Sequence, residues 1–246
     1  MEMINELALY FGEDYVINKY ITVHSPTIGD VVKMGEDKYY NVVTAFTAIP
    51  TDMKVQLWDM GKCWEDVSDF EMFIMLATGV PLEESRVFFG DLDFTKFEVG
   101  VRKDNEELVL FQQNSNNELI IIDKFIHMCI ADAIRKMHGI VPKPRKAANN
   151  TVRKLMIEDD RQRINMQKNK KHESTLLPLI SSMVNCAEFK YGINEVKSMP
   201  LYAFMDSVNR IALIKNTDAL RNGCYSGMID TKKLKKENLN WMKKIS

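Results

Sequence analysis

Proline and glycine are scarce in this 246-residue chain, at seven and eleven, which argues against a linker-dominated or low-complexity protein. No apolar run reaches the ~18–20 residues that a membrane-spanning helix requires, so no membrane partner is expected. The opening, Met1-Glu-Met-Ile-Asn-Glu6, has neither the basic start nor the apolar stretch of a secretory signal. Cys63, Cys129, Cys186 and Cys224 lie far apart with no C-x-x-C. That spacing predicts reduced, mostly buried thiols and a cytosolic setting. Also missing are a phosphate-cradling G-x-x-x-x-G-K-[ST], a dinucleotide-binding G-x-G-x-x-G, a nucleophile elbow G-x-S-x-G and a zinc-binding H-E-x-x-H. The expectation is a soluble, non-enzymatic protein with no catalytic residues, no metal and no cofactor.

What is present is ordinary globular composition, 46% hydrophobic and 27% charged, with an uneven charge distribution. Net charge is −1, but residues 1–140 hold 12 Lys and Arg against 24 Asp and Glu, a net of −12. Residues 141–246 hold 21 against 10, a net of +11. Such a polar molecule is expected to seek different partners with its two ends, or to satisfy one end with the other.

Hydrophobic periodicity predicts an α+β fold, mostly helical. An acidic α+β domain is expected over residues 1–140, a linker over 141–150 and a basic helical region over 151–246. Ile4, Leu7, Ala8 and Phe11 fit one or two helical turns, and residues 20–24 a strand. Thr27-Ile-Gly-Asp30 fits a capping box with Asp in place of Glu, opening a helix that Gly35 ends. A further helix is expected over 37–48, with Tyr40, Val43 and Thr47 on one side, and Pro50 breaks it. Thr51 is placed to cap 52–60, and Ser68-Asp-Phe-Glu71 is a full capping box for the helix that follows. Phe97, Val99 and Val101 alternate with Glu98, Gly100 and Arg102, and 108–111 and 119–122 are short apolar runs separated by turn-rich stretches, predicting a small three-stranded antiparallel sheet. Asp123 then caps a helix to His138 that is apolar nearly all round, as in a core helix. Beyond Val141-Pro-Lys-Pro144, residues 151–171 read as a weakly amphipathic, exposed or bridging helix. Helices are expected at 175–187 and 200–215, and Trp241 is a candidate anchor for a lysine-rich tail.

Three clusters carry candidate chemistry. Asp91-Leu-Asp93 could offer oxygens to a divalent cation, but the other ligands have no source at the usual spacing, and turn-stabilising aspartates are favoured. Asp159 and Asp160 are expected to pair with Arg163 and Lys154 at helical spacing. The sharpest candidate is the basic segment 143–172: Lys143, Arg145, Lys146, Arg153, Lys154, Arg161, Arg163, Lys168, Lys170 and Lys171 against three acids. These cations could hold phosphates, an acidic protein or the acidic half of another copy. The segment has no Trp, Tyr or Phe on which bases could stack, so nucleic acid is the less favoured partner. Sixteen methionines are many for this length and suit either a core or a surface that accepts varied helices.

Several stretches together resemble proteins of tailed phages and prophages of Gram-positive bacteria. They are residues 24–30 (HSPTIGD), 52–61 (DMKVQLWDMG), 88–94 (FFGDLDF), 176–185 (LLPLISSMVN), 199–208 (MPLYAFMDSV) and 225–233 (YSGMIDTKK). Within that group the chain resembles a tail assembly chaperone. The resemblance implies a non-enzymatic partner of the tape measure protein and tail-tube subunits in the host cytoplasm. It differs from the usual short and frameshift-extended forms in being one long chain. A virion neck or tail structural protein is the alternative, and a nucleic-acid-binding regulator using 143–172 a further one.

Overall fold

The computed structural model describes residues 4–104, 106–168, 173–230 and 234–244. It is an α+β fold, 58% helical, with a two-stranded hairpin and a three-stranded antiparallel sheet.

Helix α1 (Glu6–Tyr10) opens the chain, capped by the Asn5 side chain. Leu9 is the side chain it buries; Leu7 and Phe11 face solvent, opposite to the expected face. Strands β1 (Tyr15–Val16) and β2 (Thr22–Val23) pair as a short hairpin; of the two, periodicity revealed only the second. The Thr27 capping box forms as expected, with Asp30 N–H donating to Thr27 Oγ1 at 3.2 Å and Thr27 N–H to Asp30 Oδ2 at 2.8 Å. It opens α2 (Ile28–Met34), which ends at Gly35 with φ +90°. Helix α3 (Glu36–Thr47) buries Tyr39, Val42, Val43, Phe46 and Thr47, so its inward face is centred one residue earlier than Tyr40 suggested.

Thr51 does not cap the next helix. Residues Pro50–Met53 form a 3-10 turn first, and α4 (Lys54–Asp59) starts beyond it. Pro50 provides the fixed φ for that turn, and the Thr51 hydroxyl instead accepts Arg145 N–H at 3.1 Å. After a 3-10 turn at Trp64–Asp66, the Ser68–Glu71 box opens α5 (Asp69–Ala77). Helix α6 (Leu82–Phe89) follows, unannounced by its short, doubly acidic sequence. Strands β3 (Glu98–Val101), β4 (Leu108–Gln113) and β5 (Leu119–Ile122) form the sheet in the order β3-β4-β5, pairing Val99 with Leu110 and Leu110 with Ile122.

Helix α7 (Lys124–His138) runs through the centre, capped by Asp123 and stopped by Gly139 in the left-handed conformation. Helix α8 (Asn150–Lys168) is followed by α9 (Leu176–Val184), α10 (Ile193–Ser198) and α11 (Leu201–Tyr225). Helix α11 runs ten residues past the expected end, and Pro200 stands just before its first turn.

Burial explains the arrangement. Phe46, Phe89 and Phe94 pack with ring centroids 4.6–4.8 Å apart, and fully burying each such ring contributes roughly 1.5–3 kcal/mol. The same cluster reaches from Leu9 and Val23 through Ile130 and Ile134 to Leu176, Met199 and Phe204. One apolar core therefore joins side chains from both charge halves. The chain crosses back at an isolated bridge between Thr27 and Pro200, where Leu201 N–H donates to Pro26 O at 2.8 Å and Ile28 N–H to Met199 O at 3.0 Å. No helix among the described residues is long and apolar enough to cross a membrane.

Candidate partner-binding face

Helix α8 is docked on the molecule, not free as an arm. Its Ile157 is buried with Val55, Leu57, Trp64 and Met72, and Met156 and Ile164 pack beside them. Three apolar positions at helical spacing suffice because the site they enter is small. The loop before α8 is pinned by its backbone. Trp64 Nε1–H donates to Arg145 O at 3.0 Å, and the Glu65 carboxylate accepts Ala147 N–H at 2.5 Å.

Ion pairs then join basic α8 to acidic residues of the front half. Arg153 meets Glu65, and Arg161 meets Asp59 at 2.6 Å. The Ala147 amide, followed by the Arg153 guanidinium, holds the Glu65 carboxyl below the usual carboxylate range. One pair has the opposite polarity: the buried Lys54 ammonium of α4 meets Asp160 of α8. Asp160 also meets Arg163 at 3.4 Å, as helical spacing predicted. Lys154 is not its second partner; Lys54, 106 residues away in the chain, takes that place.

The ten predicted cations divide accordingly. Arg153 and Arg161 are half-buried in ion pairs, and Arg163 is exposed in one. Lys143, Arg145, Lys146 and Lys154 are exposed, and no ion pair is seen for them among the described residues. Lys168 ends α8, and its side chain, like Lys170 and Lys171, lies outside the described residues.

Between α4 and α8 lies an open groove of about 390 Å³ lined by Trp58, Lys154, Ile157, Glu158 and Arg161. Trp58 is 37% exposed there. It supplies the aromatic surface that the basic segment lacks, from a position almost a hundred residues earlier. Elsewhere on α8 and just past the end of α4, Leu155, Met166 and Met60 are exposed. No sequence signal joined Trp58 to Lys154; the docking of α8 does so. By contrast, Met72 is buried and Met75, Met156 and Met205 pack against the cores.

Asp91 and Asp93 serve their own turn. Asp91 pairs with Arg86 at 2.8 Å, and Asp93 accepts Thr95 N–H at 3.1 Å at the head of a 3-10 turn. Cys129 is buried, and Cys63, Cys186 and Cys224 are half-buried free thiols.

Residues 167–246 match the family model of the YomV second domain. YomV is a Bacillus prophage protein, so the matched segment supports a phage-related character for the chain. That segment begins at the end of α8 and takes in α9, α10, α11 and the tail. No curated protein and no solved structure matches the chain. Within the matched segment the tail folds back along α11. Arg210 donates to the carbonyls of Trp241 and Lys243 at 2.7 and 2.9 Å, and Arg221 to that of Leu239 at 3.1 Å. These arginines hold the tail by its backbone at the residue where a Trp241 anchor was expected.

Proposed function

We propose that this chain is a non-enzymatic assembly factor of a phage or prophage, acting on a helical, acidic protein partner. The observation that carries this reading is the groove in which Trp58 lies beside Lys154 and Arg161. An apolar anchor on a partner helix would enter beside the indole, and flanking carboxylates would meet Lys154 and the exposed cations of 143–146. Helix-in-groove recognition has this form, with anchors at helical spacing and charges at the rim.

The prophage likeness and the resemblance to tail assembly chaperones support a more specific form, in which the partner is the long helical tape measure protein and tail-tube subunits gather on it. Co-expression with the tape measure protein of the same phage tests it. A soluble complex is expected, and Trp58→Ala with Lys154→Glu should abolish co-purification. A tape measure that stays insoluble, with no association, overturns the reading. Finding the protein in purified particles by mass spectrometry would favour a virion structural role instead. Trp58 also gives the nucleic-acid reading a stacking surface. If about six phosphates were contacted, log affinity would change with log salt by roughly −5, and a flat dependence removes that reading.

A further inference from the structure

Among the described residues β3 is a terminal strand of its sheet, paired only with β4. Its two valines are the unusual feature. Val99 is 55% and Val101 58% exposed, although both lie on the face that carries the buried Leu110 and Ile122. The core beneath stops at β4, and Leu108, opposite Val101, is also partly uncovered. Glu98 is charged, but residues 99–101 contain no charged side chain and no Pro, the residues that commonly protect an exposed edge.

The hydrogen-bond phase of this edge can be fixed. Arg102 N–H donates to Glu107 O at 2.9 Å. Hydrogen-bonded and non-bonded pairs alternate in an antiparallel ladder, so residues 98, 100 and 102 direct their backbone groups to β4. The N–H and C=O groups of Val99 and Val101 therefore point outward, away from the sheet.

We propose that β3 is a self-pairing edge, through which two copies of the chain join antiparallel about a two-fold axis at Gly100. In that register Val99 of each copy lies opposite Val101 of the other. The outward backbone groups of both valines are satisfied by four hydrogen bonds. The same register places Glu98 opposite Arg102 of the second copy, whose guanidinium also meets Asp123 of its own chain at 3.2 Å, so the opposite charges face each other across the contact. The four valines then form one apolar strip, flanked by Leu108 of each copy. Gly100 sits on the axis with no side chain of its own. A Cβ there would lie 2.7 Å from the Phe111 ring, so the ring keeps the position at the axis free of a side chain. A two-fold contact closes on itself, each copy offering the same patch, and the outcome is a dimer.

Sedimentation equilibrium over a concentration series should show a monomer–dimer equilibrium for the unaltered protein. Val99→Lys and Val101→Lys should each be monomeric, with unchanged circular dichroism because both positions are exposed, and with the melting temperature of the unaltered protein at concentrations where that protein is itself monomeric. Oxidising an equal mixture of Val99→Cys and Val101→Cys proteins should link copies through those positions. The facing Cα atoms, about 5.5 Å apart in such a pair, suit a disulfide. Either variant alone should give no more cross-linking than the unaltered protein. A chain that is monomeric throughout, a dimer that survives both lysine variants, or cross-linking equal in the single variants and the mixture overturns the proposal.

Discussion

Lys54 is 5% exposed and its ammonium meets Asp160, which is more open and also touches Arg163. The two halves of this pair are therefore unequal. Asp160→Ala strands a buried cation, at a cost of about 3–5 kcal/mol. Lys54→Met leaves a partly solvated carboxylate with its second partner and is expected to cost much less. Urea unfolding of both variants measures the difference. His127 and His138 give a second prediction at this scale. His127 packs against Phe70 and Phe73, with ring centroids 5.6 and 4.6 Å away. Burial and then the Arg135 charge push its pKa down to about 4. His138 accepts from the Tyr39 hydroxyl through Nε2 at 2.8 Å and donates Nδ1–H to Ile134 O at 2.6 Å, an arrangement that needs the neutral ring. Burial lowers its pKa to about 4 as well. In the unfolded chain both rings take up a proton near pH 6.5, before the folded rings do. Stability is thus complete above pH 6.5 and is lost as pH falls towards 4, by roughly 3 kcal/mol per ring. Melting temperature against pH should show this fall, and His127→Phe should reduce its slope.

At the scale of elements, capping and close approach decide where helices dock. The Glu36 carboxylate, in the first turn of α3, accepts from Thr175 N–H at 2.9 Å and Leu176 N–H at 3.1 Å. It caps α9 from 140 residues away. Burial raises its pKa, but the bonds from Ser174, Thr175 and the two amides outweigh that and hold it below the usual carboxylate range. Its stabilisation is present above the ordinary glutamate pKa and is lost as pH falls below it. Glu36→Ala should cost about 1 kcal/mol, as loss of a cap does, with amide hydrogen exchange at α9 rising before exchange at α7. On the neighbouring helix, a Cβ on Gly29 would lie 2.8 Å from Lys197 O. Gly29→Ala should therefore push α2 from α10 and cost roughly 1–3 kcal/mol, read as a lower denaturation midpoint.

Across the whole molecule the continuous core from Leu9 to Phe204 predicts one cooperative transition. Phe204→Ala should cost about 3–5 kcal/mol and shift the loss of tryptophan fluorescence and of helical signal together. If the two signals separated, the halves would be unfolding independently. Much of this fold was legible in local sequence. The Thr27 and Ser68 boxes, the alternation at 97–101 with the apolar runs at 108–111 and 119–122, and the Asp123-to-Gly139 helix are each signals spanning a few neighbouring residues. The β1 strand, α6 and α10 were not, because each is two to eight residues long and too short to display a period.

By itself the sequence determined the helices opened at Thr27, Ser68 and Asp123, the three-stranded sheet and the presence of a basic segment after residue 141. Local hydrogen bonds and side-chain periodicity fix those features. Tertiary structure decided what the charges do. It spent Arg153 and Arg161 on Glu65 and Asp59, buried Lys54 against Asp160, and brought Trp58 to the exposed Lys154. These partners lie 88 to 106 residues apart in the chain, apart from Trp58 and Lys154, which are about as distant. Their meeting depends on how α8 buries Ile157 against α4, which no local pattern encodes. The same holds for β3: alternation revealed the strand, and only the reach of the core left its valines uncovered.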